Sequence, residues 1–137
     1  MSKVYYKLFY HVVWTTHMRQ PMIRPEIERV LLPFLDNKAK RFNSCLLGSG
    51  CVEDHIHIVT EIPPSESVSD VIGKLKGSSS YFLNKELQIS DSFSWQDGFG
   101  VLSFSERELT RVLKYVNNQK EHHKNGTLND SMESTGN

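Results

Sequence analysis

Two short apolar runs at 45–51 and 54–62 stand almost end to end, and the connection between them passes through Glu53 and Asp54. Alternation with period two sends successive side chains to opposite faces of a strand. A connection this short favours antiparallel pairing as a hairpin, and that hairpin constrains everything packed around it. Gly48 and Gly50 weaken its first strand and predict either a bulge or a close approach by another backbone.

The flanking periodicities complete the pattern. Residues 4–14 alternate and are rich in Val, Tyr and Phe, the signature of a first strand. Pro25 suits the first turn of a helix, and Ile27, Val30, Leu31, Phe34, Leu35 and Phe42 then recur at helical spacing. Pro33 falls inside that stripe and predicts a kink or a division. After Pro63-Pro64, Ser67 with Asp70 forms a capping signal for a second helix, whose stripe is Val68, Val71, Ile72, Leu75 and Phe82. Gly73, Gly77 and Ser78–Ser80 leave part of that helix smooth enough for another backbone to approach. Residues 88–98 read as a polar loop and 99–104 as the last strand. Ser105 and Glu108 then form a capping box for a third helix over about 106–123.

The order β-α-β-β-α-β, followed by a helix, predicts an α+β fold of the ferredoxin-like or RRM-like kind. Two helices cover one face of an antiparallel sheet, and the C-terminal, tyrosine-bearing helix is free to cover the other. One domain is expected over 1–123. Residues 124–137 hold one Leu, one Met and no aromatic residue, and are expected to be disordered.

Composition narrows the function classes. A hydrophobic fraction of 38% with 23% charged residues describes a globular chain. No apolar run approaches the roughly 20 residues needed to cross a bilayer, and the N-terminal stretch lacks signal-peptide features. A cytoplasmic location is therefore expected. Cys45 and Cys51 make neither a disulfide framework nor a zinc motif, and both are expected to be buried. The 16 basic and 16 acidic residues cancel, so any nucleic-acid binding would rest on local clusters. Such clusters occur at Lys38, Lys40 and Arg41, at Lys74 and Lys76, and at Arg107, Arg111 and Lys114.

Within the second hairpin strand, His55 and His57 share one face, while Ile56, Ile58 and Ile62 take the face that the helices bury. Two imidazoles at i and i+2 stand close enough to share a divalent cation, and two fixed ligands leave positions for water and substrate oxygens. A bare His-x-His also fits two strand histidines without a ligand. Asp54 suits either of two roles, orienting a ligand histidine through its second nitrogen or capping the turn.

On the third helix, Leu109, Val112, Leu113 and Val116 form the apolar stripe, with Tyr115 at its edge. At 100° per residue, Arg111, Tyr115, Gln119 and His122 share one face. A phenol oxygen there can attack phosphorus, Gln119 offers an amide oxygen as a third metal ligand one turn away, and Arg111 can grip a phosphate. A lone helical Tyr equally fits packing beside the core.

In combination, the chain resembles the single-tyrosine HUH transposases of insertion sequences, including those associated with repetitive extragenic palindromes. The resemblance rests on His11-Val12-Val13-Trp14-Thr15-Thr16, on Gly50 to Val59 around Asp54-His55-Ile56-His57, and on Leu75-Lys76-Gly77-Ser78-Ser79-Ser80. It continues through Trp95-Gln96-Asp97-Gly98-Phe99 and Lys114-Tyr115-Val116-Asn117-Asn118-Gln119 to Glu121-His122-His123. It implies that His55, His57 and Gln119 hold magnesium or manganese and that Tyr115 is the nucleophile. Arg111, Lys74, Lys76 and His122 would contact DNA. The implied substrate is single-stranded DNA with hairpins, cut through a 5′-phosphotyrosine with a free 3′-hydroxyl. The implied assembly is a homodimer that can share its sites between subunits.

Three other readings remain. An RRM-like nucleic-acid binder would stack bases on Tyr6, Phe9 and Tyr10. A histidine-based nucleotide hydrolase would need a further histidine where Val59 stands. A domesticated transposase would bind DNA without mobility.

Overall fold

The computed structural model describes residues 3–136. Its strands are β1 (Phe9–Thr15), β2 (Cys45–Val52), β3 (His55–Glu61) and β4 (Gly100–Phe104). Its helices are α1 (Pro25–Lys40), α2 (Val68–Tyr81), α3 (Leu109–Asn117), α4 (Gln119–Asn125) and α5 (Asp130–Glu133). The sheet order is β2-β3-β1-β4, with every neighbouring pair antiparallel. This is the expected ferredoxin-like α+β arrangement.

Strand alternation divides the sheet chemically. Val12, Trp14, Ile56 and Ile58 face α1 and α2, where they form the main core with Ile27, Leu31, Leu35, Ile72 and Leu75. His11, Val13, His55, His57 and Val59 occupy the opposite face. There Val59 packs with Val112, Val116 and Met132 in a smaller second core. The RRM-like reading needs an open aromatic sheet face. Helices α3 and α4 cover this one instead, and Phe9 is buried against Phe104.

Several local expectations needed correction. β1 starts at Phe9 and not at residue 4, because its partners run out there: Phe9 pairs with Glu61 on one side and Phe104 on the other. Pro33 neither divides nor ends α1. It sits on the exposed side, where water can satisfy the carbonyl that its missing N–H leaves free, and the buried stripe Ile27, Leu31, Leu35, Ala39 continues past it. Ser67 caps α2 as expected, accepting a bond from the Asp70 N–H. Ser105 makes no such side-chain bond, and the third helical segment opens as a 3-10 turn over Glu106–Glu108.

The helix expected over 106–123 is broken at Asn118, whose φ of −110° and ψ of 32° separate α3 from α4. No backbone packs against Gly73 or Gly77. Cys51 is buried, but Cys45 is exposed at the start of β2. Residues 124–136, expected to be disordered, finish α4, turn at Gly126 and carry the short helix α5 back against β1 and β4.

Both glycine expectations in β2 hold. The register shifts between Leu46 and Gly48, as a bulge requires. At Gly50 a Cβ would lie 2.1 Å from the Val116 carbonyl oxygen, so the missing side chain lets α3 settle onto the sheet.

Candidate active site

The hairpin strand presents His55 and His57 on the face covered by α3, α4 and α5, and each ring is held from behind. His55 Nδ1 lies 2.7 Å from Asp54 Oδ1, the position an orienting carboxylate would take, and the other Asp54 oxygen lies 3.5 Å from the Arg19 guanidinium. His57 Nδ1 lies 2.8 Å from His11 Nε2 on β1. Because His11 pairs with Val59, and Val13 with His57, the two rings are diagonal neighbours across the ladder. With their Nδ1 atoms engaged, both rings direct Nε2 outward to one point.

The Glu133 carboxylate of α5 stands against that point. Its Oε1 lies 3.1 Å from His55 Nε2, 3.2 Å from His57 Nε2 and 3.5 Å from His123 Nε2. His55, His57, His123 and Glu133 each offer a ligand atom, all within 4.8 Å of one another. Position 123 reaches this cluster because Lys120 fixes α4 over the end of β2, donating to Glu28 at 2.7 Å and to the Cys51 carbonyl at 2.9 Å. His55 Nε2 is buried without an aligned hydrogen bond, although the carboxylate stands beside it. Three imidazoles and a carboxylate converging on one point, one nitrogen among them lacking an aligned bond, fit a divalent cation of the borderline class.

Charge in the cluster follows from burial and proximity. Burial, reinforced by the neighbouring His57, pushes His11 down to about 3, so its ring is neutral and its Nε2 can accept a hydrogen bond from the Nδ1–H tautomer of His57. Burial also lowers His57 and His123. For His55, burial pulls downward but the Glu133 and Asp54 carboxylates outweigh it and hold the ring above its usual value. Burial opposes ionisation of Glu133, yet His55, His57 and Tyr115 hold it far below the usual carboxylate range.

Tyr115 reaches the same place from α3 within one chain. Its ring centroid lies 6.1 Å from that of His57, and its hydroxyl donates to Glu133 Oε2. Tyr115 Oη in turn accepts from the Asn129 N–H at 2.9 Å. Burial, above all, pushes the phenol up to about 12, so it is protonated here. The buried Gln119 donates to the Tyr115 carbonyl at 3.2 Å, while its Oε1 lies 3.2 Å from His123 Nε2 at the edge of the cluster.

The remaining expected residues divide. His122 stacks on Tyr115 with centroids 4.5 Å apart. Arg111 pairs with Glu108 at 2.7 Å. Both line a cleft of about 480 Å³ beside the phenol, with Lys114 and Asn118. Lys74 and Lys76 are not brought to the site, because α2 packs on the other face of the sheet. The Lys76 ammonium donates to the Gln96 and Gly98 carbonyls at 2.7 and 2.8 Å, and Lys74 lies 5.1 Å above the Phe42 ring.

A family model described as "Transposase IS200 like" matches residues 4–119. The chain belongs to the IS200-like transposase family. The transposase for insertion sequence element IS200 of Salmonella typhimurium is 30% identical over 122 residues, covering 85% of this chain and 80% of that protein. The ISDra2 transposase TnpA of Deinococcus radiodurans is 24% identical over 120 residues, covering 83% and 85%. The crystal structure of a Deinococcus radiodurans transposase superposes with a TM-score of 0.70 at 24% identity, covering 87% of this chain and 98% of that one. A REP-associated tyrosine transposase bound to a REP hairpin gives 0.62 at 14% identity, covering 90% and 74%.

In this IS200-like transposase the matched segment includes His55, His57, Tyr115 and Gln119 but stops short of His123 and Glu133. Sequence reasoning passed over three residues of the cluster: His11, His123 and Glu133. His11 had a usable signal, since the alternation of β1 puts it on one strand face with Val13 and Thr15, the residues that pair with His57 and His55 on the same face of the sheet. Glu133 had none, because a polar segment distant in sequence delivers it.

Proposed function

We propose that this transposase cleaves and rejoins single-stranded DNA at hairpin-marked ends, with Tyr115 as nucleophile. The observation that carries this reading is the convergence of the Tyr115 hydroxyl with His55 and His57 around one carboxylate oxygen pair within a single chain. The Tyr115 oxygen attacks phosphorus, the bond to the 3′ oxygen breaks, and a 5′-phosphotyrosine and a free 3′-hydroxyl result. Attack by a 3′-hydroxyl on that phosphotyrosine reverses the step and rejoins a strand, so the phosphodiester energy is conserved without ATP.

His55, His57 and Gln119 would hold magnesium or manganese, which would polarise the scissile phosphate and stabilise its developing charge. Asp54 and His11 keep the two Nε2 atoms outward. Arg111 and His122, beside the phenol, are placed to contact DNA; Lys74 and Lys76 would contact it only along a path reaching the other layer. A homodimer belongs to this reading, although the phenol needs no partner subunit to reach the imidazoles.

The test is incubation with a hairpin-bearing single-stranded oligonucleotide and manganese, followed by denaturing electrophoresis. A shortened strand and a covalent protein–DNA band are expected. His57→Ala should lose both while retaining hairpin binding. Full cleavage by His57→Ala, or cleavage unaffected by a chelator, would contradict the metal-dependent step.

A further inference from the structure

We propose that Glu133 is itself a metal ligand. With His55, His57 and His123 it would make a closed four-coordinate site for a zinc-type divalent ion while segment 127–136 is docked. This rests on the metal-dependent reading above and extends it to residues outside the family match, which ends at 119.

Distances support the assignment. Ligands about 2.0–2.1 Å from a tetrahedral ion stand roughly 3.3–3.4 Å from one another. Glu133 Oε1 lies 3.1, 3.2 and 3.5 Å from the Nε2 atoms of His55, His57 and His123. His57 Nε2 is hydrogen-bonded to that oxygen at 3.2 Å, whereas His55 Nε2 is buried beside it with no hydrogen bond along the line between them. That arrangement is expected when nitrogen and oxygen both aim at a third point. Asp54 and His11 already occupy the rear nitrogens of two of the rings, the outer shell that ligand histidines need.

The segment that brings Glu133 has a built seat. Met132 is buried with Val59, Val112 and Val116, and Thr135 is buried as well. The Asn129 side chain caps α5 by accepting from the Met132 N–H, and the Asn129 N–H donates to Tyr115 Oη. At Gly100 a Cβ would lie 1.8 Å from the Ser134 carbonyl oxygen, so β4 keeps a side chain out of the path of the segment.

The chemical consequence is exclusion. Four protein ligands leave a four-coordinate ion no place for a phosphate oxygen, whereas two or three do. Glu133 also engages the Tyr115 hydroxyl. The docked segment therefore holds both the cation position and the nucleophile, and it must lift before DNA can occupy either.

The test is a cobalt(II) titration of the full metal-free chain, read by visible absorption as a probe of four-coordinate geometry. The wild type should bind one equivalent with strong four-coordinate bands, and His57→Ala should lose them. Glu133→Ala should bind at least about tenfold more weakly, with bands shifted toward higher coordination. Gly100→Val should do the same without altering any ligand, its fold checked by circular dichroism. His57-dependent binding with Glu133→Ala identical to wild type would overturn this proposal alone. Absence of any His57-dependent cobalt binding in the wild type would overturn it together with the metal-dependent reading beneath it.

Discussion

At the scale of single residues, the site depends on which nitrogen of each histidine is free. His57 can offer an Nε2 lone pair to a cation only in the tautomer whose Nδ1 carries the proton, and the neutral His11 ring 2.8 Å away is the acceptor available to that tautomer. His11→Leu should weaken divalent-cation binding by about tenfold or more, and His11→Gln, which keeps an acceptor, should recover part of the loss. Equal affinity in His11→Leu and wild type, measured by calorimetry, would remove His11 from the site. The cysteines give a second check. Burial pushes the Cys51 thiol up to about 12, so at pH 8 its thiolate is on the order of one part in ten thousand, while Cys45 lies exposed. A disulfide reagent at pH 8 should titrate one thiol in the folded protein and two after denaturation. The reactivity of the second should rise with pH only far into the alkaline range, because the shift is upward. Two fast thiols would contradict the burial of Cys51. The residues that meet at the site were legible where a local period displayed them. His55 and His57 stand two apart on a strand, and Tyr115 and Gln119 are four apart in the helical period, although Asn118 places them on α3 and α4. Glu133 was hidden because it has neither a periodic neighbour nor an apolar context beyond Met132.

At the scale of elements, the strands and the first two helices were legible because each carries one clean period and a stop. The third helix was not. Asn118 interrupts it, its side-chain amide donating back to the Lys114 carbonyl, and this local competition between side chain and backbone leaves no mark on the apolar pattern. The break separates the turn carrying Gln119 and His123 from the one carrying Tyr115. Pro33 shows the converse, a strong local signal overridden because the buried stripe of α1 continues on the side away from it. α3 docks through a glycine, so Gly50→Ala should lower unfolding free energy by about 1–3 kcal/mol through overpacking against the Val116 backbone. Urea denaturation reads that loss as a lower midpoint. An unchanged midpoint would contradict this close seat of α3 on β2.

At the scale of the whole molecule, one sheet separates stability from chemistry. The face toward α1 and α2 holds the large apolar core, and the face toward α3, α4 and α5 holds imidazoles, carboxylate and phenol over a much smaller apolar cluster. The layered α+β arrangement followed from the order of periodicities. The path of segment 127–136 did not, because its docking depends on non-local contacts at Gly100 and Val59 that a polar composition gives no reason to expect. On the proposed mechanism, the same division lets a chain with no net charge act on DNA, because the reaction is carried by local geometry on one face. The most direct test of that claim is mass spectrometry of tryptic peptides after reaction with a hairpin oligonucleotide and manganese. A nucleotide adduct is expected on the peptide spanning residues 115–120, and it should be lost in Tyr115→Phe. An adduct mapped to any other residue, or one that persists in Tyr115→Phe, would contradict it.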